Sequence, residues 1–383
     1  MSSSYRIVFY VSGHGFGHTS RSIEVIHAVL RARPDVQIVV KTSAPLGLFS
    51  RTLHGRSELV ELQCDAGMVQ IDSLNMDAGA SIRQAVEFQK RLPALVASEA
   101  AYLQGIQARA TVGDIPPLAV AAAHAAGIPS IAIGNFTWDW IYEDYRSDAA
   151  MELSREIRRL YQDVTVALRL PMAAGFEGLA PKIKDIPFIA RRSRRTQDDV
   201  RRALGLPPRS AGTPLVLISF GGYGVAGLNT AGLAPLRNYT IATTDTPSPS
   251  AAPGRANAIQ PAPGLLAISE KQIYDNGLRY EDLVRAADVV VTKPGYGIIS
   301  EAIANGASLL YTSRGHFPEY DVLVREMPKY LRTEFLEQKQ LLSGDWSAAL
   351  DKLMSTAAPP GRPSLNGAEI AAGEILRLVT KNE

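Results

Sequence analysis

Residues 4–32 read SYRIVFYVSGHGFGHTSRSIEVIHAVLRA. Arg6–Ser12 is a continuous β-rich run, the pattern of a strand buried on both faces. Ser20–Arg31 follows with helical spacing, since Ile23, Ile26, His27 and Leu30 fall on one stripe at i, i+3, i+4 and i+7. Between the two stand Gly13, His14, Gly15, Phe16, Gly17 and His18. Three glycines in six residues carry an entropic cost, so the turn requires bare backbone. A glycine loop leading from strand to helix presents unpaired N–H groups and the positive end of the helix dipole to an anion.

The pattern repeats along the chain. Val36–Thr42 reads as a second buried strand and Glu58–Gln63 as a third candidate. Ser81–Gln107 is a long helical stretch with Pro93 near a kink or break. Ala110–Gly113 is a strand ending at Asp114; Pro116 and Pro117 suit the first turn of a helix over Leu118–Ala126, and Gly127 suits its C-cap. Ser130–Gly134 is the next strand. Repeated β-α-β predicts a parallel sheet covered by helices. The segment Pro187–Arg195 turns basic and polar, and the arginines at 191, 192, 194 and 195 read most simply as a solvated linker. Pro214–Ser219 then opens a second unit, with Phe220, Gly221, Gly222, Tyr223 and Gly224 expected to lead into a helix. Residues 243–263, rich in Pro, Ala and Ser, read as a flexible surface loop. Asp288–Thr292 is a strand; Lys293, Pro294, Gly295, Tyr296 and Gly297 open a helix over Ile298–Asn305, and Ser308–Thr312 is the following strand. Gly367–Val379 is an amphipathic helix.

The expected fold class is therefore α/β, with two doubly wound Rossmann-like domains facing a cleft. The first spans residues 1–190 and the second 196–366, and the helix in 367–383 crosses back to the first. Ligands in such sheets bind at the carboxyl ends of the strands.

The 383 residues are 46% hydrophobic and 20% charged, with a net charge of +2. That balance fits a globular protein of two domains and gives no case for a nucleic-acid or membrane-surface binder. A single cysteine, Cys64, rules out an intramolecular disulfide and a cysteine-based metal site. The first apolar run, Ile7–Val11, is too short for a secretory signal, and no stretch approaches the ~20 apolar residues of a membrane span. A cytoplasmic location, with no integral membrane span and no nucleic-acid partner, is the expectation; oligomeric state leaves no mark in the sequence.

Three loops share one geometry: Gly13–His18, Gly221–Gly224 and Gly295–Gly297. A tight structural turn explains any one of them, but three together favour a phosphate ligand. The P-loop pattern is absent, which argues against a standard ATPase. The spacing G-x-G-x-G, with a second strand ending in Lys41 and Thr42, disfavours NAD and excludes NADP less strictly.

The segment ADVVVTKPGYGIISEAIANGASLLYTSRG resembles the donor-binding signature of GT-B glycosyltransferases, family 28 in particular. The opening glycine–histidine loop resembles that family's N-terminal motif, and ISFGGYG its loop at the start of the second domain. YVSGHGFGH, CDAGMVQIDSL and NFTWDWIYEDY are similar to stretches in the N-terminal glycosyltransferase-like region of plant L-arabinokinase. The likeness covers nearly the whole chain and is weakest in the Pro/Ala-rich loop.

What the resemblance implies is inverting transfer of a hexosyl or N-acetylhexosaminyl group from a nucleotide-diphosphate sugar, UDP-sugar first, to an acceptor hydroxyl. No cofactor is implied, and the absence of any Asp-x-Asp favours metal independence. Gly295, Gly297 and Ser300 would lie near the diphosphate, with Glu301 on the ribose hydroxyls. Gly15 and Gly17 belong to the N-terminal phosphate-side loop, and Gly221, Gly222 and Gly224 to the other wall of the nucleotide site. Ile268 would hold the base through its backbone. In Arg314–Tyr320, where the family pattern departs, His316 and Glu319 are candidates for the donor sugar.

His18 matches the family histidine and is the candidate base, because a neutral imidazole suits deprotonation of a hydroxyl near neutral pH. His14 reads as structural or phosphate-contacting. Asp114 reads either as a helix N-cap or as a catalytic group. Asp65, Gln70 and Asp72 read as an acceptor-recognition loop or a plain surface loop. Asn135, Trp138 and Asp139 could hold an acceptor, with Trp138 as core filler the alternative. Lys293 could pair with phosphate or stand solvated. Epimerisation or hydrolysis of a sugar nucleotide, and non-catalytic sugar-nucleotide binding, are the rival functions.

Overall fold

The computed structural model describes residues 5–221, 224–244, 259 and 264–380. Gly222 and most of 243–263 lie outside the described residues. The chain divides into two compact units: residues 1–69, 77–190 and 363–383 form one, and 70–76 with 191–362 form the other. The chain therefore enters the second unit twice, first as a seven-residue excursion that the sequence assigned to the first domain.

In the first unit, β1 (Arg6–Val11), β2 (Gln37–Thr42) and β3 (Glu58–Glu61) alternate with α1 (Phe16–Ala32) and α2 (Leu46–Leu53). Two short strands, β4 (Val69–Gln70) and β5 (Met76–Asp77), bracket the excursion. Then come α3 (Ala78–Gly105), β6 (Ala108–Asp114), α4 (Pro117–Ala126), β7 (Ser130–Gly134), α5 (Trp138–Glu143), α6 (Asp148–Tyr161), β8 (Val166–Arg169) and β9 (Ile183–Asp185). The helix α3 runs through Pro93 without ending. The sheet order is β3-β2-β1-β6-β7-β8-β9, and neighbouring strands are parallel. The order reverses between β1 and β6, where Val11 pairs with Asp114. Such a reversal opens a crevice at the strand tips.

Strands buried on both faces need long apolar runs. Ile7, Val8, Phe9, Tyr10 and Val11 all lie in the core, consistent with a parallel sheet covered by helices.

The second unit holds α7 (Gln197–Ala203), β10 (Leu215–Ile218), β11 (Thr240–Thr243), β12 (Leu265–Ala267), α8 (Glu270–Asp275), α9 (Tyr280–Ala286) and β13 (Val289–Thr292). It continues through α10 (Tyr296–Asn305), β14 (Ser308–Tyr311), α11 (Glu319–Glu326), β15 (Thr333–Phe335), α12 (Gln338–Ser343) and α13 (Ser347–Ser355). Its parallel sheet runs β12-β11-β10-β13-β14-β15 and reverses between β10 and β13. The helix expected after Gly224 does not form: among the described residues only a short 3₁₀ turn, Thr230–Leu233, lies between β10 and β11. Glycines at 224, 227 and 232 with Pro235 make an α-helix there too costly.

The last helix, α14 (Gly367–Thr380), belongs to the first unit and packs on α1 and β6. Lys184 pairs with its Glu374, and Arg31 with its Glu369 at 3.0 Å.

Candidate functional site

The first unit gathers its polar chemistry at the reversal between β1 and β6. Gly15 caps α1 with φ of 82°, a left-handed value that a side chain would strain. That turn starts α1 early enough to put His18, Arg21 and Ser22 on one face at i, i+3 and i+4. All three converge on Asp114 at the tip of β6. His18 Nδ1 lies 2.8 Å from Asp114 Oδ1, Arg21 Nε donates to Oδ2 at 2.8 Å, and Ser22 Oγ donates to Oδ2 at 3.0 Å. A second Arg21 nitrogen, Nη2, also donates to Oδ1. Asn135, at the tip of β7, accepts from Arg21 Nη1 at 3.1 Å.

Burial would raise the Asp114 carboxyl, but the Arg21 charge and hydrogen bonds, joined by His18, outweigh it and hold it at about 2. Asp114 is thus an anion at neutral pH. Arg21 Nη2 also lies 3.1 Å from His18 Nδ1, but the shorter contact, to an anion, makes Nδ1 the protonated nitrogen. Nε2 is left as the acceptor, with no hydrogen bond among the described residues. A histidine so oriented can take a proton.

Next to this group lies an aromatic cluster. Trp138 is buried and packs against Phe136 and Tyr142, with ring centroids 5.2 and 5.6 Å away, and against His14 at 5.6 Å. Its indole Nε1 donates to Asp65 at 2.9 Å. Burial pushes the Asp65 carboxyl up, and hydrogen bonds from Ser12 and Trp138 offset only part of that. His14 Nδ1 accepts from the Met68 amide at 3.2 Å. Asp139 accepts from Arg158 Nε at 2.9 Å. Trp138 and Asp139 are thus held inside the fold, and Asn135 holds Arg21; their first structural task is support.

The second unit arranges its loops at the reversal between β10 and β13. Gly221 follows β10 with φ of 73°, and Gly224 has φ of 61°. Gly295 caps α10. Gly297 lies in the first turn of α10, where its carbonyl accepts from Ser300 Oγ at 2.9 Å, so that hydroxyl turns back onto its own helix. Ile268 follows β12, and its amide donates to Thr243 at 2.8 Å. Gln70 and Asp72, read as acceptor residues, lie in this unit with its glycine loops. Lys293 is half-buried, and its Nζ lies 3.5 Å from Gln70 Oε1. Burial first, and Arg314 second, hold its ammonium down at about 7, opposed by Asp72. Glu319 is buried at the start of α11, and His316 is exposed.

Glu301 is buried, and its Oε1 accepts from Arg191 Nε at 2.7 Å. The linker reading of Arg191 is overturned, while Arg192, Arg194 and Arg195 are exposed. Arg191 is drawn inward because Glu301 and, at 3.7 Å, Glu281 receive its guanidinium, and because Asn305 Nδ2 binds its carbonyl at 3.1 Å.

Arg21 and Ser22 went unrecognised in the sequence; their i+3 and i+4 spacing from His18 was the available signal. Among the described residues no cluster of three or more His, Cys, Asp or Glu is placed to hold a metal ion, and no helix is long and apolar enough to cross a membrane.

Two Rossmann-like α/β units, each with glycine loops at the reversal of its sheet, define the GT-B fold of glycosyltransferases. The chain aligns with the glycotransferase of kitacinnamycin at a TM-score of 0.61 and 15% identity, covering 98% of this chain and 99% of that one. MurG of Acinetobacter baumannii aligns at 0.54 and 15% identity, covering 97% and 99%. UGT2 of Phytolacca americana, complexed with UDP-2-fluoro-glucose and pterostilbene, aligns at 0.58 and 13% identity, covering 98% and 94%. Among curated proteins the chain is similar to L-arabinokinase of Arabidopsis thaliana, 29% identical over 379 residues, which is 97% of this chain and 34% of that protein. The chain thus spans about a third of the length of the curated relative it matches. No family model matches it.

Proposed function

We propose that the chain transfers a sugar from a nucleotide-diphosphate sugar, with UDP-sugar the first choice, to an acceptor hydroxyl, with inversion and without a metal. The observation that carries this reading is the His18–Asp114 pair at the strand reversal of a GT-B unit. In the reaction, the acceptor oxygen bonds to the anomeric carbon as the bond from that carbon to the diphosphate breaks. His18 Nε2 takes the acceptor proton. The resulting imidazolium is stabilised by ionised Asp114, which Arg21 and Ser22 hold in place. The leaving diphosphate gains negative charge, which the glycine-loop amides and the N-terminus of α10 are suited to meet. The bound UDP-sugar of the Phytolacca structure supports the choice of donor class.

The curated relative is named for a kinase, and this chain matches only a third of it. That partial match favours a second reading, sugar-nucleotide binding without transfer. Incubation with a panel of nucleotide sugars, with and without hydroxyl acceptors, separates the two. Acceptor-dependent release of nucleoside diphosphate supports transfer. Acceptor-free isomer formation or release points to epimerisation or hydrolysis, and binding without turnover supports the second reading.

A further inference from the structure

Six lysines of this chain, Lys41 and Lys184 among them, pair with carboxylates. Lys293 stands half-buried after β13 and forms no ion pair among the described residues. Its Nζ has one hydrogen-bond acceptor there, the neutral Gln70 amide oxygen, at a long 3.5 Å. Asp72 is engaged elsewhere, because its carboxylate accepts from the Leu74 and Asn75 amides at 2.6 and 2.8 Å and from Asn75 Nδ2. The excursion carrying Gln70 and Asp72 is fixed: Ser73 Oγ donates to the Phe220 carbonyl at 2.7 Å, and Leu74 is buried in the core of the unit. Arg314 is held beside Lys293. Its Nη1 donates to the carbonyl of Pro294, the next residue, at 3.3 Å, its Nη2 contacts Met76 Sδ at 3.7 Å, and its guanidinium lies over the Phe317 ring at 4.5 Å.

This setting resists a positive charge on Lys293. Partial burial and the neighbouring guanidinium disfavour the ammonium, and Asp72 opposes them only weakly. An exposed lysine offers a neutral amine in about one molecule in 2,500 at pH 7, whereas Lys293, at about 7, offers it in about half. The same guanidinium that repels an ammonium attracts an anion. Half-burial limits access to a small electrophile, and carbon dioxide is one that turns an amine into an anion with no leaving group. We propose that Lys293 is a carbamylation site that takes carbon dioxide, with the carbamate facing the charge of Arg314 and the amide of Gln70. The Nζ lone pair bonds to the carbon of carbon dioxide, one carbon–oxygen π bond opens to leave the negative charge on oxygen, and the nitrogen gives one proton to water. No electrons are gained or lost overall. The Gln70 amide, turned about its last torsion, presents Nε2 as a donor to the new carboxylate. Modification replaces a cation by an anion, so dissolved carbon dioxide sets the local charge of the second unit. The site rests on the surroundings of Lys293 alone and is independent of the transfer reading.

The test is incubation of the intact chain with ¹³C-bicarbonate at about pH 8, where the amine is neutral. The carbamate is followed by ¹³C NMR, then trapped with triethyloxonium and located by peptide mass spectrometry. The expected result is a carbamate carbon resonance and an ethyl carbamate on Lys293. Both should vanish in the K293M variant and fade as pH falls below about 7, when the amine is protonated. The R314M variant should lower occupancy at least about tenfold, since the anion loses a charge-assisted contact. Near-UV circular dichroism of each variant separates lost carbamate from lost folding. A parent chain that shows no carbamate, or one trapped only on other amines, overturns the proposal. So does a resonance that persists in K293M, or undiminished occupancy in a folded R314M variant.

Discussion

Arg21 Nε donates to Asp114 Oδ2 at 2.8 Å, one helical turn after His18, whose Nδ1 meets the other oxygen of the same carboxylate. One buried anion thereby organises two cationic or potentially cationic groups from α1. Its consequence for stability has a definite sign. Asp114 sits at about 2 in the folded chain, against about 3.9 for an ordinary aspartate. Its contribution is present above about 4 and is lost as pH falls toward about 2. The D114N variant should lose this acid-sensitive component. It should also be destabilised at pH 7 by about 3 kcal/mol, because Arg21 is left buried without its anion. Urea unfolding of both proteins across pH 2–7 checks both outcomes.

The charge on Lys293 destabilises the fold, where that on Asp114 stabilises it. Its folded value is about 7, against about 10.4 in an unfolded chain, so the unfolded state binds more protons between the two. Stability owed to this residue therefore rises as pH climbs from about 7 to about 10. The K293M variant should be more stable than the parent at pH 7, by about 1 kcal/mol or more, and the difference should shrink toward pH 10. Thermal melts at the two pH values measure it. A variant less stable at pH 7 would show that the ammonium is satisfied by the fold.

Glu301 and Arg191 form a buried pair with Glu281 nearby. Replacing Glu301 with Gln should cost about 3 kcal/mol of stability, because the guanidinium loses its main counter-ion. Nucleotide affinity measured well below the melting temperature tells whether the same carboxylate also serves a ribose. Unaltered stability would remove the pair from the account.

Gly367 starts α14 where a Cβ would stand 2.1 Å from the Pro187 carbonyl oxygen and 2.8 Å from that of Phe188. Its amide donates to Phe188 at 3.1 Å. The G367A variant should lose about 1–3 kcal/mol through overpacking, with hydrogen exchange accelerating first in α14. Wild-type protection in that helix would mean that the contact is loose.

Strands and glycine loops were legible because both are written locally. Apolar runs mark buried parallel strands, and Gly15, Gly221 and Gly295 stand just past them. His18 and Asp114 were each legible as candidates. Their pairing was not, since it joins residues 96 positions apart and depends on β1 lying beside β6. Arg21 escaped because a charged residue on a helix reads as solvated unless its partner is known. Arg191 escaped for the same reason, hidden in a basic run whose other arginines are exposed. Gln70 and Asp72 were seen as functional polar residues but placed with the wrong unit, because nothing local marks a chain that leaves a domain for seven residues and returns. The missing helix after Gly224 shows the limit of reading by analogy: strand followed by glycine loop does not force a helix where the next ten residues hold further glycines and lack an apolar stripe.

The central claim is that His18, oriented by Asp114, removes the acceptor proton during sugar transfer. Its most direct test compares the parent chain and the H18A variant in acceptor-dependent release of nucleoside diphosphate from a nucleotide sugar that both bind. The expected result is equal donor affinity with turnover reduced by a factor of about 10²–10⁴. Turnover that survives the substitution unchanged, or a parent chain that binds nucleotide sugars and never transfers them, contradicts it.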